Sequence, residues 1–338
     1  MSNIILPTDY IINIFYQYAG YPRKKSSGVY YGGCSVCREG HSWMKKRRLY
    51  YLVNENIIYC HNCGLSKSPL NWIIEVSGKT YLEILKESGT YSSNLDYYNA
   101  KEQTNNISEK IIDIELPKDS INLFDPIQIE YYKDNRVVKD ALDLIKRRRL
   151  DTLINRPKAF YLSLNDQIHC NRLIIPFYDI ENKITFYQSR EIYSQDGIIK
   201  PKYLSKLNSN KEIYGINSIK SDIDKLFIFE GPLDSSCVIN GIGICGIKLT
   251  DYQKKLLNNF FTFQKIYVLD NQYIDKTSRK ETEFLIKNNQ FVFIWPKQYK
   301  QKDFNEICCD FKIDQISSKF ILKNTFSGEI ALLKIKMI

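Results

Sequence analysis

Four cysteines have the spacing of a metal site: Cys34-Ser-Val-Cys37, then 22 residues, then Cys60-His-Asn-Cys63. A Cys-x-x-Cys turn delivers two soft sulfurs to one side of a tetrahedron, and a second turn completes it, which is the preference of zinc. With all four positions filled by thiolates the metal is structural, and His41 and His61 have no place in it. The other five cysteines (Cys170, Cys237, Cys245, Cys308, Cys309) show no paired spacing. A second group of residues able to do chemistry is acidic. Glu230 follows an apolar run in Phe229-Glu230-Gly-Pro-Leu-Asp234, Asp270 ends Val268-Leu269-Asp270, and Asp303 lies in Lys302-Asp303-Phe304-Asn305. Carboxylates about 4 Å apart repel by roughly 4 kcal/mol at an effective dielectric near 20, so such a group calls for a proton or a cation. Oxygen-only ligation favours magnesium or manganese. For Asp234, one turn into its helix, service at a helix N-terminus is the lesser alternative.

These residues need elements to hold them. Between the cysteine pairs, Arg47–Val53 and Ile57–Cys60 read as strands joined by Asn54-Glu55-Asn56, so the two knuckles flank a hairpin and form a zinc ribbon. Pro69–Glu87 has helical periodicity broken at Ser77-Gly78. From about residue 88 to 108 the chain turns polar and aperiodic, as a linker does. A helix over Lys139–Leu150 follows, ending in Lys146-Arg-Arg-Arg149, then strands at Leu173–Tyr178 and Ile184–Gln188. In the last third, apolar strands at Lys225–Phe229, Gly243–Cys245, Lys265–Leu269 and Phe291–Ile294 alternate with helices at about 233–240, 251–259 and 277–288. That alternation predicts a parallel sheet covered on both faces. Groups at the carboxyl ends of such strands share a crevice, which places Glu230 and Asp270 together with Asp303 within reach.

The composition agrees with a polyanion partner. The 338 residues carry 48 Lys and Arg against 38 Asp and Glu, a net charge of +10, and 43% hydrophobic residues suffice for real cores. Basic and aromatic side chains interleave around Trp43, Lys45, Lys46, Arg47, Arg48, Tyr50 and Tyr51, a pattern that neutralises phosphates and stacks bases. No apolar run has the roughly 18 to 20 residues of a membrane span, and the first ten residues lack an export signal, which predicts a soluble protein retained in the compartment where it is made. Ser77-Gly-Lys-Thr80 is a decoy for a phosphate-binding loop, because Ile73 stands where its first Gly is needed.

Glu230-Gly-Pro-Leu-Asp234 after a strand, with the later Leu269-Asp-Asn-Gln272, resembles the Toprim module of bacterial-type primases, topoisomerases and some nucleases. Ribbon, linker, basic middle and Toprim, in that order, resemble DnaG-type DNA primases, most closely the stand-alone primases of large tailed bacteriophages. Arg172-Leu-Ile-Ile-Pro-Phe-Tyr-Asp179, Gln188-Ser-Arg190, Pro201-Lys-Tyr203 and Ile213-Tyr-Gly215 match the polymerase core of that family in order. The resemblance implies a multidomain chain: a β zinc ribbon (1–88), a linker (89–115), an α+β core (116–221), an α/β Toprim domain with a parallel sheet (222–310) and a tail (311–338). It implies synthesis of short RNA primers from ribonucleoside triphosphates on single-stranded DNA by a two-metal mechanism, beside a separate replicative helicase, in the cytoplasm, that of the host if the chain is viral. Glu230 then acts as metal-linked acid/base, Asp234 as a supporting acid, and Asp270 and Asp303 as ligands of magnesium or manganese. Arg172, Arg190 and Lys202, with Lys248 at a strand end, contact phosphates, while Arg47, Arg48 and Trp43 face the template. Two positions depart from the family pattern: Gln272 and Asn305 replace acids, with Asp275, Glu281 and Glu306 as compensating candidates. The other readings are a non-catalytic recombination mediator like RecR, which is much shorter, and a Toprim nuclease or topoisomerase.

Overall fold

The computed structural model describes residues 5–38, 43, 45–90, 116–193 and 201–338. It divides into two compact units, Met1–Glu115 with Leu204–Ser209, and Leu116–Tyr203 with Asn210–Ile338. Most of the expected linker, 91–115, lies outside the described residues.

The first unit opens with helix α1 (Thr8–Tyr18), which buries Ile11, Ile14 and Phe15 at helical spacing. An antiparallel sheet follows in simple order: β1 (Gly20–Ser26), β2 (Val29–Gly33), β3 (Leu49–Leu52), β4 (Ile57–Cys60) and β5 (Ser66–Lys67). The hairpin read from the sequence is thus the centre of a larger sheet. Its edge β1 carries exposed Arg23, Lys24 and Lys25, charges that discourage pairing with another strand. After the sheet the periodic stretch folds as two short helices, parted at the Ser77-Gly78 break. α2 (Pro69–Ser77) starts on the Ser68 cap and stops at Gly78, whose left-handed φ of 68° suits glycine. α3 (Tyr81–Glu87) restarts on a Thr80/Glu83 capping box.

The second unit contains two sheets. The first is antiparallel, ordered β9-β8-β7-β6 with β6 (Ser120–Asn122), β7 (Tyr161–Ser163), β8 (Arg172–Tyr178) and β9 (Ile184–Glu191), followed by β10 (Tyr203–Ser205), of which Tyr203 alone falls in this unit. Helices α4 (Pro126–Tyr131) and α5 (Arg136–Arg147) accompany it, α5 burying Val138, Ala141, Leu144 and Ile145 on one face. The second sheet is built from β11 (Lys225–Phe229), α6 (Pro232–Ser235), β12 (Gly241–Gly243), α7 (Asp251–Leu257), β13 (Gln264–Val268), α8 (Lys276–Lys287), β14 (Phe291–Phe293), α9 (Phe304–Phe311), α10 (Ser318–Lys323), β15 (Thr325–Phe326) and α11 (Gly328–Lys336). Its order is β12-β11-β13-β14-β15, parallel except for β15, which runs antiparallel to β14.

Three expectations change here. β12 lies two residues earlier than read, because Gly241 and Gly243 pair with Phe227 and Phe229, while Cys245 already turns at φ 56°. The helix expected over 233–240 shortens to α6 and ends in tight turns. Residues 311–338, read as a tail, supply β15 and α11, and Ala331 and Ile335 of α11 pack with Leu285, Ile286 and Val292. One apolar cluster runs from Ile121, Leu162 and Leu173 to Phe227, Val268, Phe293 and Phe304, so residues 116–221 and 222–310 share a core. No helix among the described residues is long and apolar enough to cross a membrane.

Candidate functional site

In the first unit, the thiols of Cys34, Cys37, Cys60 and Cys63 lie within 4.8 Å of one another. Four convergent soft donors fit tetrahedral zinc, which makes this a zinc-binding site. β4 carries Cys60 at its end, and the turn after it brings Cys63 beside it, with Gly64 N bonded to Cys60 O. Asn62 donates from its backbone N to the Cys60 sulfur (3.3 Å) and from Nδ2 to the Cys37 sulfur (3.5 Å). Arg48 Nη1 donates to Asn62 Oδ1 at 2.7 Å, so Arg48 braces the knuckle. Arg47 donates to Tyr21 O and lies over the Tyr31 ring, and Arg38 lies over Trp43. Tyr31 stacks on Tyr50 across β2 and β3, and His61 meets Tyr50 and Tyr59 edge-on. His61 stays off the metal set, and burial with the charges of Arg48 and Lys25 lowers its pKa.

In the second unit, the acids gather beyond the carboxyl ends of β11 and β13. Their approach depends on Gly243, where a Cβ would stand 2.9 Å from the Gly231 and Pro232 backbone; its absence lets the turn after Glu230 lie against β12. Glu230 Oε1 accepts from Ser278 Oγ (2.7 Å) and from Asp270 N (3.3 Å), which ties β11, β13 and α8 together. Asp234 Oδ1 accepts from Asn305 N at 3.1 Å, and Asp303 caps α9 by accepting from Glu306 N at 2.8 Å. The capping alternative is therefore realised by Asp303, while Asp234 receives the first turn of another helix. Burial raises the pKa of Glu230. Burial, then Asp303 and Asp270, holds Asp234 well above the usual carboxylate range. Asp270 is pushed up to about 8 by burial, Glu230 and Asp303. These acids repel one another and lack a full counter-charge.

A basic group faces them. Burial, Arg190 and Arg148 lower the pKa of Lys202, and Asp303 offsets this in part. Arg190 bonds the Tyr203 hydroxyl and stacks over its ring, with its buried Nε free of any partner among the described residues. Arg148 Nη1 donates to Asn305 Oδ1 (3.2 Å), and Asn305 Nδ2 returns a bond to Arg148 O (2.9 Å). Arg172 is buried inside its sheet, donating to Ser189 Oγ (2.9 Å), Pro201 O (2.7 Å) and Lys202 O (3.0 Å). It therefore braces the backbone that presents Lys202. Lys248 pairs with Glu281 at 3.2 Å and lies over Phe284, with no contact to the four acids among the described residues.

Gln272 and Asn305 do not face the crevice as oxygen donors. Gln272 Nε2 donates to Phe293 O (2.9 Å) and Thr282 Oγ1 (3.3 Å), and its Oε1 accepts from Trp295 N (3.1 Å). Asn305 is held by Arg148. Of the three compensating candidates, Asp275 adds to the charge felt by Glu230 and Asp270, Glu281 is paired with Lys248, and Glu306 accepts from Lys302 N at 2.7 Å. Two further side chains stand in the site, Ser278 and Lys302. Ser278 leaves no sequence signal. Lys302 was visible as the neighbour of Asp303, and Arg148 as part of a basic run.

No family model matches the chain. Over 288 residues it is 27% identical to the DNA primase of Enterobacteria phage T4, covering 81% of this chain and 79% of that protein. Among solved structures, the zinc-binding and RNA polymerase domains of Aquifex aeolicus primase align with 17% identity and a TM-score of 0.38, over 94% of this chain and 83% of that one. The RNA polymerase domain of Mycobacterium tuberculosis primase DnaG, complexed with a double-stranded DNA oligomer bearing a 6-nucleotide overhang, aligns with 16% identity and a TM-score of 0.39, over 57% and 62% of the two chains.

Proposed function

We infer that this chain is a DNA primase of the DnaG type, a DNA-directed RNA polymerase that makes short RNA primers from ribonucleoside triphosphates. The observation that carries this reading is the crevice of the second unit. Its acids, Glu230, Asp234, Asp270 and Asp303, need a cation, and its cations, Arg148, Arg190 and Lys202, need an anion. A nucleoside triphosphate with its divalent metal answers both. The 27% identity to a phage DNA primase, over most of both chains, names the reaction.

The donor set fits hard divalent cations: Glu230, Asp270 and Asp303 would hold magnesium or manganese through oxygen alone. Bound there, such ions supply Lewis acidity that activates a primer 3′-hydroxyl and neutralises a leaving pyrophosphate. The residues do the rest. Glu230, with one oxygen held by Ser278 and a pKa raised by burial, is suited to accept the hydroxyl proton. Lys202 and Arg190 pair with the triphosphate. Asp234, bonded to Asn305 N, fixes α9 and with it Asp303. The zinc-bearing unit reads the single-stranded template, with Arg47, Trp43 and the tyrosine sheet as the contact surface and Arg48 supporting it. A cytoplasmic location and a separate replicative helicase fit this role.

The purified chain, supplied with Mg2+ or Mn2+, four ribonucleotides and single-stranded DNA, makes short oligoribonucleotides. Glu230→Gln lowers the yield by roughly two to four orders of magnitude, the usual weight of a positioned acid/base, while DNA binding persists. Full activity in that variant overturns the assignment.

A further inference from the structure

The acid crevice already contains a cation. Lys302 Nζ lies 3.6 Å from Asp270 Oδ2 and 3.8 Å from Asp275 Oδ2. Exposed lysine pairs usually contribute little, since the side chain wanders. This one is anchored by its backbone at both ends. Its N–H donates to the Glu306 carboxylate at 2.7 Å, and its carbonyl accepts from Asn271 N, one residue after Asp270, at 2.8 Å. The Asn271 side chain fastens the same loop, donating to Gln301 O at 2.8 Å and Tyr299 O at 3.2 Å. The stem of Lys302 is thus fixed at the mouth of the crevice and its ammonium set between two carboxylates. With Gln272 and Asn305 turned to structural bonds, nothing else positive adjoins Asp270 among the described ion pairs.

We propose that Lys302 is a resident counter-ion of the acid crevice that competes with divalent metal for Asp270, so that the metal affinity of the site is set by this residue. The inference rests on the primase reading, because it takes Asp270 as a metal ligand. In the metal-free protein the ammonium stands between Asp270 and Asp275 and offsets the negative charge that Asp270 carries whenever it is ionised. When a divalent ion enters, the flexible end of the side chain, still half exposed, withdraws into solvent while its anchored backbone stays. An ammonium and a divalent ion about 6 Å apart repel enough, even in a water-like dielectric, to change affinity roughly tenfold. The site should consequently bind metal weakly in isolation and fill mainly when a triphosphate brings its own metal and charge. Lys302 is a positioning residue here, since it touches the ligands and never the reacting atoms.

The test is direct Mn2+ binding to the full zinc-loaded chain, followed by the electron paramagnetic signal of free Mn2+, for the wild type, Lys302→Gln, Lys302→Met and Lys302→Arg. Both neutral variants should bind Mn2+ about tenfold more tightly, and the arginine variant should stay within about twofold of the wild type. Unchanged or weaker binding in the neutral variants, with primer synthesis intact in the wild type, overturns the role of Lys302 and leaves the primase reading standing. Absence of Mn2+ binding in every variant, together with absence of primer synthesis, overturns the reading itself and the inference with it. Gln and Met differ in polarity and agree in charge, so a matched result from both excludes a packing effect of either.

Discussion

Replacing Asp270 by Asn should make the metal-free protein more stable, and increasingly so as the pH rises. The carboxyl of Asp270 is raised from 3.8 to about 8 by burial, Glu230 and Asp303. In the window between those values the folded chain holds a proton that the unfolded chain has released. The stability this proton confers is complete below about pH 4 and is lost as the pH climbs through about 8. Each tenfold in proton affinity is worth about 1.4 kcal/mol, so from pH 5 to pH 8 the wild type loses at most about 4 kcal/mol through this group. Glu230 shares the titration, Lys302 relieves part of it, and the side chain keeps 19% of its exposure, which reduces the figure to about 2–3 kcal/mol. Asn has the same shape and no charge to lose. The assay is urea unfolding at a series of pH values without added divalent ion, followed by tryptophan emission. Trp295 is a suitable reporter, because its Nε1 donates to Leu269 O at 2.9 Å beside the mutated residue. The advantage of the Asn variant should grow by about 2–3 kcal/mol between pH 5 and pH 8, and millimolar Mg2+ should stabilise the wild type alone. Parallel curves for the two proteins would refute the reasoning, since they would mean that Asp270 ionises without strain.

Cys60→Ser should remove zinc and unfold the first unit, because structural zinc contributes roughly 10–16 kcal/mol of apparent binding energy and Cys60 is fully buried. Metal content by atomic absorption and near-ultraviolet dichroism of the tyrosine sheet check this, and stoichiometric zinc in the variant would count against it. Gln272→Asp, which restores an acid at that position, should lower stability by about 2–3 kcal/mol without tightening Mn2+ binding. The shorter acid cannot donate to Phe293 O and Thr282, and it places a charge in the core. Thermal unfolding and Mn2+ titration decide it, and a stable variant that binds metal more tightly would show that Gln272 does face the crevice.

The zinc site was legible because its signal is local: two short turns, each fixed by three intervening bonds of sequence, bring the sulfurs together wherever the hairpin lies. The strands β11, β13 and β14 were legible for a similar reason, as continuous apolar runs. Elements without a period were not. β1 is a polar edge strand, Gly-Tyr-Pro-Arg-Lys-Lys-Ser, and β15 has two residues, too few to carry any pattern. The expected position of β12 is off by two residues because Ile244 and Cys245 are as buried as a strand while lying beyond its end. The Arg148–Asn305 pair spans 157 residues, and nothing in either neighbourhood announces the other.

Residue type also proved a weaker guide than direction at the candidate site. Gln272, Asn305 and Arg172 all have the chemistry to meet metal or phosphate, and all three spend it on backbone: Gln272 on β14, Asn305 on Arg148, Arg172 on residues 201 and 202. Each is buried, and a buried amide or guanidinium must satisfy its donors at home before it can serve a ligand. Removing them from the crevice leaves Glu230, Asp234, Asp270, Asp275 and Asp303 against Lys302 on the acid side, with Arg190, Lys202 and Arg148 on the other. Neither side is satisfied alone, and the strain on each is of opposite sign. A free divalent ion relieves only the first and a free triphosphate only the second, so the two should bind cooperatively, each raising the affinity of the other by the same factor. That mutual dependence follows from where these side chains point, and a count of acids and bases along the chain does not contain it.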